Sequence, residues 1–287
     1  MSIATELQNL NDNILDAYDA VRDKYGVVPA NKNMDNLPAA IDSIAGITRT
    51  VKNGVYGFPT SPGYTFSLPS TATDLNAYAL RYAFATSAWI TSADFSSLTK
   101  ITEWNALDHA FYQCTRFASF DFSSLTQVTG TDAFNSAFAS TAITSADFSS
   151  VTIFGGGLYQ FRNAFQNCTS LTSVNFSSLR GAGNTGCFSG AFTGCTALTS
   201  VDFSSLTSVA GGDGPFTSAF KNCRALSTIS FPALTSFGTS YTNQFNNMLS
   251  GVTGCTLHFL AAAQASVEAL TGYPNFGGTN TTVLFDL

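Results

Sequence analysis

The chain is poor in charge. Only 10% of its 287 residues are Asp, Glu, Lys or Arg, where soluble proteins ordinarily carry about a quarter. Lys and Arg number 12 against 18 Asp and Glu, a net charge of -6, so no basic stripe exists to displace counterions from phosphate. That argues against a nucleic-acid partner. Long apolar runs are missing too, because Ser, Thr or Gly cuts each one within a few residues, and no membrane span is expected. No C-x-x-C pair occurs and there are only 2 histidines, which leaves zinc without ligands and no metal expected. His109 lies beside a turn and His258 in an outward strand position. H-E-x-x-H, a nucleophile elbow and a phosphate loop are all absent; the glycine-rich "GAGNTGCFSG" falls between repeats rather than between a strand and a helix. The sequence therefore gives no reason to expect an enzyme or a cofactor. The start, "MSIATELQNLNDNILDAYDAV", has no basic n-region and no apolar h-region, so the chain is expected to be made in a cytoplasm and to stay there unless something else exports it.

What is present is repetition. With 45% hydrophobic residues and 26 phenylalanines the chain can bury a large core. Phe95, Phe122, Phe148, Phe176, Phe203, Phe231 and Phe259 recur at intervals of 27, 26, 28, 27, 28 and 28 residues. "AF" pairs ending at Phe84, Phe111, Phe138, Phe165, Phe192 and Phe220 keep step, and "QF" at Phe245 reads as a degraded copy. "YTFSLPS" around Phe66 reads as an opening, incomplete unit. Within a unit, Leu171, Val174 and Phe176, like Leu198, Val201 and Phe203, follow the L-x-x-L-x-L skeleton of leucine-rich repeats. Residues two apart share one side of a strand, so Val and Phe point inward and the Asp or Asn between them outward. One unit cannot bury its apolar side alone, and units must stack.

The fold class expected is an α/β solenoid: a leucine-rich-repeat stack with one parallel β-sheet, short N-terminal helices and a C-terminal helix-plus-strand cap. Four segments are expected. Residues 1–48 form a helical oligomerisation or attachment segment and 49–64 a linker or first cap strand. Residues 65–256 form the solenoid and 257–287 the cap.

The elements "AFYQCTRFASF", "AFQNCTSLTSV", "AFTGCTALTSV" and "AFKNCRALSTI" resemble the BspA-like (treponemal-type) leucine-rich repeat family, over roughly residues 60–287. "FSSLT" departs from the Ile-Pro segment frequent in that family, and "FPAL" at Phe231 comes closest to it. The resemblance implies an adhesive or surface-binding scaffold rather than a catalyst. "YGVVPANKNMDNLPAAIDSI" and the chain's ending are similar to segments of structural proteins of phages of Gram-positive and gut bacteria. That similarity implies a virion component, a fibre, spike or capsid decoration, which leaves its host only on lysis and has other virion proteins as partners. A bacterial adhesin or interaction scaffold outside any virion is the alternative.

Ile3, Leu7, Leu10, Ile14, Ala17 and Val21 are spaced as a heptad seam on one helix. Three heptads are marginal alone. The seam packs either on its own chain as a cap or between chains as a homo-oligomer, dimer and trimer both remaining open. Cys114, Cys168, Cys195 and Cys223 share a column with Ser87 and Thr141, as buried thiols would. The outward column Asp94, Asp121, Asp147, Asn175 and Asp202, flanked by Ser92, Ser119, Ser145, Ser173 and Ser200, has two readings. It solvates the strands and feeds turns, or it is a strip that binds a host-surface glycan or protein, with Trp89, Trp104, Tyr112, Tyr159 or Tyr241 as aromatic platform. A hydrolase would need paired carboxylates, for which Glu103 and Asp108 are the only neighbours.

Overall fold

The computed structural model describes residues 63–68, 70–182, 185–209, 213–237 and 243–287. Eight coils stack through them, opened by the parallel strands β1 (Tyr64–Ser67), β2 (Ile90–Asp94), β4 (Ser119–Asp121), β6 (Ser145–Asp147), β8 (Ser173–Asn175), β9 (Ser200–Asp202), β10 (Thr228–Phe231) and β11 (Thr256–Phe259). Short second strands, β3 (Lys100–Ile101), β5 (Gln127–Val128) and β7 (Ile153–Phe154), follow in coils two to four. The strand β12 (Thr282–Leu284) pairs with β11 at the C-terminal end. The expected heptad residues Ile3 to Val21 lie outside the described residues.

Each coil turns its corners by local chemistry. The strand phenylalanine points inward and the Leu three residues on donates its N–H back to it, as Leu98 does to Phe95 and Leu206 to Phe203. "FSSL" is thus a β-turn whose first and last side chains both enter the core. The Thr that follows donates its hydroxyl to the equivalent carbonyl one coil earlier: Thr126 to Thr99, Thr152 to Thr126 and Thr207 to Arg180. Stacking makes this bond repeat.

Phenylalanine rings carry the core. Neighbouring strand rings from Phe95 to Phe259 lie 4.5, 5.6, 5.2, 5.7, 5.8 and 5.3 Å apart, all stacked. A second column, Phe84 to Phe220, runs beside it at 5.2, 5.7, 5.3, 5.8 and 5.3 Å. Each buried ring pair adds about 0.5–1.5 kcal/mol beyond its area term.

Three expectations need correction. First, α/β overstates the helix. Among the described residues helix is confined to a 3-10 turn at Ala261–Ala263 and α1 (Gln264–Glu268) in the cap. The "AF" half of each coil is instead a run of consecutive β-turns. In residues 76–87 the N–H groups of Ala79, Arg81, Ala83, Ala85 and Ser87 go to carbonyls three residues back. Those of Tyr78, Leu80, Tyr82, Phe84 and Thr86 go to the next coil. Every fourth residue has positive φ, as at Tyr78, Tyr82 and Thr86, or Asn163 and Asn167, and this prevents an α-helix from propagating. Secondly, the single sheet is four three-stranded sheets, β1-β2-β4, β6-β8-β9 and β10-β11-β12 on one side and β3-β5-β7 on another. The break between β4 and β6 coincides with a bulky ring. Phe120 replaces the small residue found at Ala93 and Ala146, and its ring leans onto Phe122, Phe138 and Phe148 at 5.1, 4.8 and 5.3 Å. The break between β9 and β10 has no such ring. Thirdly, Phe245 is not a degraded "AF" copy. Phe216 N–H bonds Gln244, which puts Phe245 below Phe216 in a third column with Phe188, Phe161 and Phe134. Phe220 N–H bonds Met248, so Leu249 closes the "AF" column.

Candidate binding surfaces

The expected strip is laid out in register. Ser92 pairs with Ser119 and Asp94 with Asp121; farther along, Ser145, Ser173 and Ser200 align, as do Asp147, Asn175 and Asp202. Each acidic or amide side chain accepts, through Oδ1, the N–H two residues on: Ser96, Ser123, Ser149, Ser177 and Ser204, at 2.8–2.9 Å. These Asx turns end the strands, so the column does structural work first. Asn175 makes the same bond without charge. The break at Phe120 splits the strip, and there a cleft of 180 Å³ opens, lined by Phe120, Asp121, Phe122, Ser123, Asp147, Ser149 and Ser150.

The cysteines are absorbed by the stack. All six are free and buried. Cys114, Cys168, Cys195 and Cys223 donate their thiols to the carbonyls of Phe84, Phe138, Phe165 and Phe192 in the preceding coil. Thr141 sits against Cys168 at 3.3 Å and bonds Phe138 itself. Burial pushes the Cys114 thiol up to about 11 and Cys223 to about 12, away from the thiolate a reactive cysteine needs. Among the described residues no group of three or more His, Cys, Asp or Glu could hold a metal.

The turn segments form a second face, with different chemistry at its two ends. In the first two coils Tyr82 stacks on His109 at 4.7 Å, Tyr78 tilts against Trp104 at 5.8 Å, and His109 approaches Tyr112 at 5.3 Å. The Arg81 guanidinium lies over both tyrosines, 5.4 Å from Tyr78 and 5.3 Å from Tyr82. Its Nε donates to Asp108 Oδ2 at 2.8 Å, while His109 Nδ1 meets Oδ1 at 2.5 Å. Asp108 is 2% exposed, yet both its oxygens are paired, as a buried carboxylate requires. Burial is the largest single influence and works against the charge on Arg81, but the hydrogen bond to Asp108 and the attraction of that carboxylate, with smaller help from Tyr82 and Tyr78, together raise the guanidinium above its ordinary value. Trp104 is 55% and Tyr82 50% exposed. Two coils on, Arg162 covers Tyr159 at 5.0 Å and reaches Asn135 Oδ1 at 3.4 Å. Asp132, between these groups, is held above the usual carboxylate range by burial, with Arg162 pulling the other way, and its Oδ1 has no partner among the described residues.

From the fifth coil the same positions hold Gly186, Gly190, Gly194, Gly214 and Ser218. The glycines make room for side chains of the preceding coil. A Cβ on Gly190 would strike the Asn163 side-chain oxygen, and one on Gly186 would strike the Tyr159 ring. Side chains of one coil rest in the gaps left by the next.

The BspA-type leucine-rich repeat model matches in six copies, over residues 64–161 and 135–250. The chain belongs to the BspA-type leucine-rich repeat family. No curated protein matches it. Among solved structures this BspA-type chain is similar to a leucine-rich repeat protein from Bacteroides ovatus, with 17% identity and a TM-score of 0.34. That match covers 77% of this chain and 66% of that one, just under two thirds. It is similar also to the leucine-rich repeat protein of T. pallidum (18% identity, 77% and 87% coverage, TM-score 0.32). A third is a leucine-rich cell surface protein from Faecalibacterium prausnitzii (12%, 77% and 88%, TM-score 0.23).

Of the aromatic residues expected as a platform, Trp104 and Tyr112 join one cluster, through Tyr78 and His109 respectively, while Tyr159 stands two coils away. Trp89 packs against the core beside Phe84, and Tyr241 lies outside the described residues. Tyr78, Arg81, Tyr82 and His109 were not foreseen as part of it. Their signal was available as a departure from the column, since the first coil alone places tyrosine both six and two residues before the "AF" phenylalanine. The fourth coil repeats it at the first position with Tyr159, the second places His109 at the other, and the remaining positions hold Asn, Asp, Ser or Gly. Glu103 and Asp108 do not make a catalytic pair: Glu103 is exposed and Asp108 is buried against Arg81 and His109.

Proposed function

We propose that the chain is a recognition scaffold of the BspA type, which offers a rigid stacked surface to a partner at a cell surface and transforms nothing. The observation that carries this is the fate of its reactive groups. Thiols cap carbonyls, strip carboxylates close turns, and the buried Asp108 is consumed by Arg81 and His109, while exposed rings stand on the outside of the stack. Membership of the BspA-type family favours a bacterial adhesin or interaction scaffold over a virion fibre or decoration. The virion reading leans on residues 1–46 and on the chain's ending, and it ranks second. Homo-oligomerisation through Ile3, Leu7, Leu10, Ile14, Ala17 and Val21 is part of the same proposal.

Protease shaving of intact producing cells, with mass spectrometry of the released peptides, tests the location. Peptides from residues 64–250 among the surface products are the expected result. Their recovery only in sedimenting phage particles would replace the adhesin with the virion component. Light scattering of the full chain and of one lacking residues 1–46 tests the oligomer: an unchanged mass per particle removes the helical seam from the proposal.

A further inference from the structure

We propose that the turn face of the first two coils, built by Tyr78, Arg81, Tyr82, Trp104, His109 and Tyr112, is a binding site for a neutral glycan. The inference rests on the scaffold reading and specifies its surface and partner class.

The fold does not ask for these rings. Tyr78 and Tyr82 have φ of 61° and 54°, a region that bulky side chains enter at a cost and that Asn and Gly enter readily. Gly186 and Gly190 occupy the same two positions in the fifth coil at 57° and 63°, so the backbone path is satisfied without an aromatic. Bulky residues held in an unfavourable conformation, with Tyr82 half exposed, point to a use outside the core. Trp104 is more exposed still, and it too contributes little to the interior.

The cluster is locked before anything binds. Tyr82 contacts both Arg81 and the His109 ring, Tyr78 contacts both Arg81 and Trp104, and Arg81 is anchored on the buried Asp108. Little side-chain entropy remains to be lost on binding.

Its chemistry selects the ligand. The Arg81 guanidinium is paired with the buried Asp108, so the cluster presents no unpaired cation to recruit a strongly anionic partner. The surface offers aromatic faces, with hydroxyl and ring N–H groups at their rims. A pyranose presents the complement, a C–H face bordered by hydroxyls. Size agrees. Two coils at ~4.8 Å spacing give a platform roughly 10 Å wide. Six side chains fall far short of the roughly 20–30 residues that a standard protein interface engages on each side, but suffice for a few sugar rings.

Affinity electrophoresis of the full chain through gels containing mixed-linkage β-glucan, galactomannan, xyloglucan or amylopectin tests this. Tryptophan-fluorescence titration with cellohexaose and chitohexaose complements it. We expect retardation by at least one polysaccharide or a saturable shift with one oligosaccharide. Trp104→Ala and Tyr82→Ala should each weaken binding about tenfold or more. Trp104→Phe, which keeps a ring, should retain most of it, and Arg224→Ala, at an exposed position of the sixth coil, should change nothing. Circular dichroism and Tm confirm that the exposed-residue variants remain folded. No binding to any of these glycans, or binding that survives Trp104→Ala, overturns the proposal. If the wild type ignores the glycans but holds a purified protein ligand through Trp104, the glycan assignment fails and the scaffold function stands. If it holds neither, the scaffold reading is also lost.

Discussion

The turn face of the first two coils and that of the fifth to seventh follow one backbone path and carry opposite side chains. In both, N–H groups alternate between a carbonyl three residues back and one in the next coil, and left-handed residues recur every four positions. At the C-terminal end these positions hold Gly, Ser and Asn, and side chains from one coil settle into gaps left by the next. At the N-terminal end they hold tyrosine and histidine, which stack outward. The quiet end displays what the architecture requires. The difference between the ends is a surplus over that requirement, and a surplus on a rigid face is where recognition belongs.

The largest expected effect tests what the ends share. Phe148→Ala and Phe203→Ala should each cost about 3–5 kcal/mol in urea unfolding, because both remove a fully stacked ring. Very unequal losses would mean that the two ends are not one core. Next comes Gly190→Ala, which adds a Cβ against Asn163 in a left-handed position. A loss of about 2 kcal/mol is expected, partly restored by Asn163→Gly, whereas an independent, additive pair would refute the gap-filling account. At the aromatic end Asp132→Asn should stabilise the fold by about 1 kcal/mol at pH 7. The folded pKa of Asp132 lies above its unfolded value, so the carboxylate lowers stability as pH rises from about 4 through the folded pKa, and the penalty persists above it. The advantage of the variant should vanish in acid; a difference constant with pH would locate the effect elsewhere. The smallest change is Asp121→Asn, which keeps the Asx turn, as Asn175 does, and relieves repulsion with Asp94 across the register. A gain of a few tenths of a kcal/mol, shrinking with added salt, is expected in thermal melts.

The repeat period, the inward phenylalanines, the buried thiols and the register of the Ser and Asp columns could all be read from spacing, because stacking turns sequence intervals directly into neighbours. What spacing could not reveal was backbone sign. Tyr78, Tyr82 and Thr86 look like ordinary residues in a polar loop, and nothing in a single letter announces the positive φ that turns this half of the coil into consecutive turns instead of helix. The sheet break was hidden for a related reason. Phe120 fits the inward strand pattern perfectly well, and only its size sets it apart from Ala93 and Ala146 beside the break. Phe245 misled because an aromatic after a polar residue matched the "AF" rhythm, while the column it joins begins with leucine at Leu80 and Leu107.

The backbone bonds between coils reach about one repeat ahead or behind, from Tyr78 to Trp104 or from Phe192 to Ala219. A coil therefore finishes its contacts as soon as its successor has emerged, without waiting for the distant end of the chain. At a synthesis rate of about 5–20 residues per second, a new layer becomes available every few seconds. Ordering can keep pace with the ribosome, so that apolar rings stay uncovered only at the growing edge.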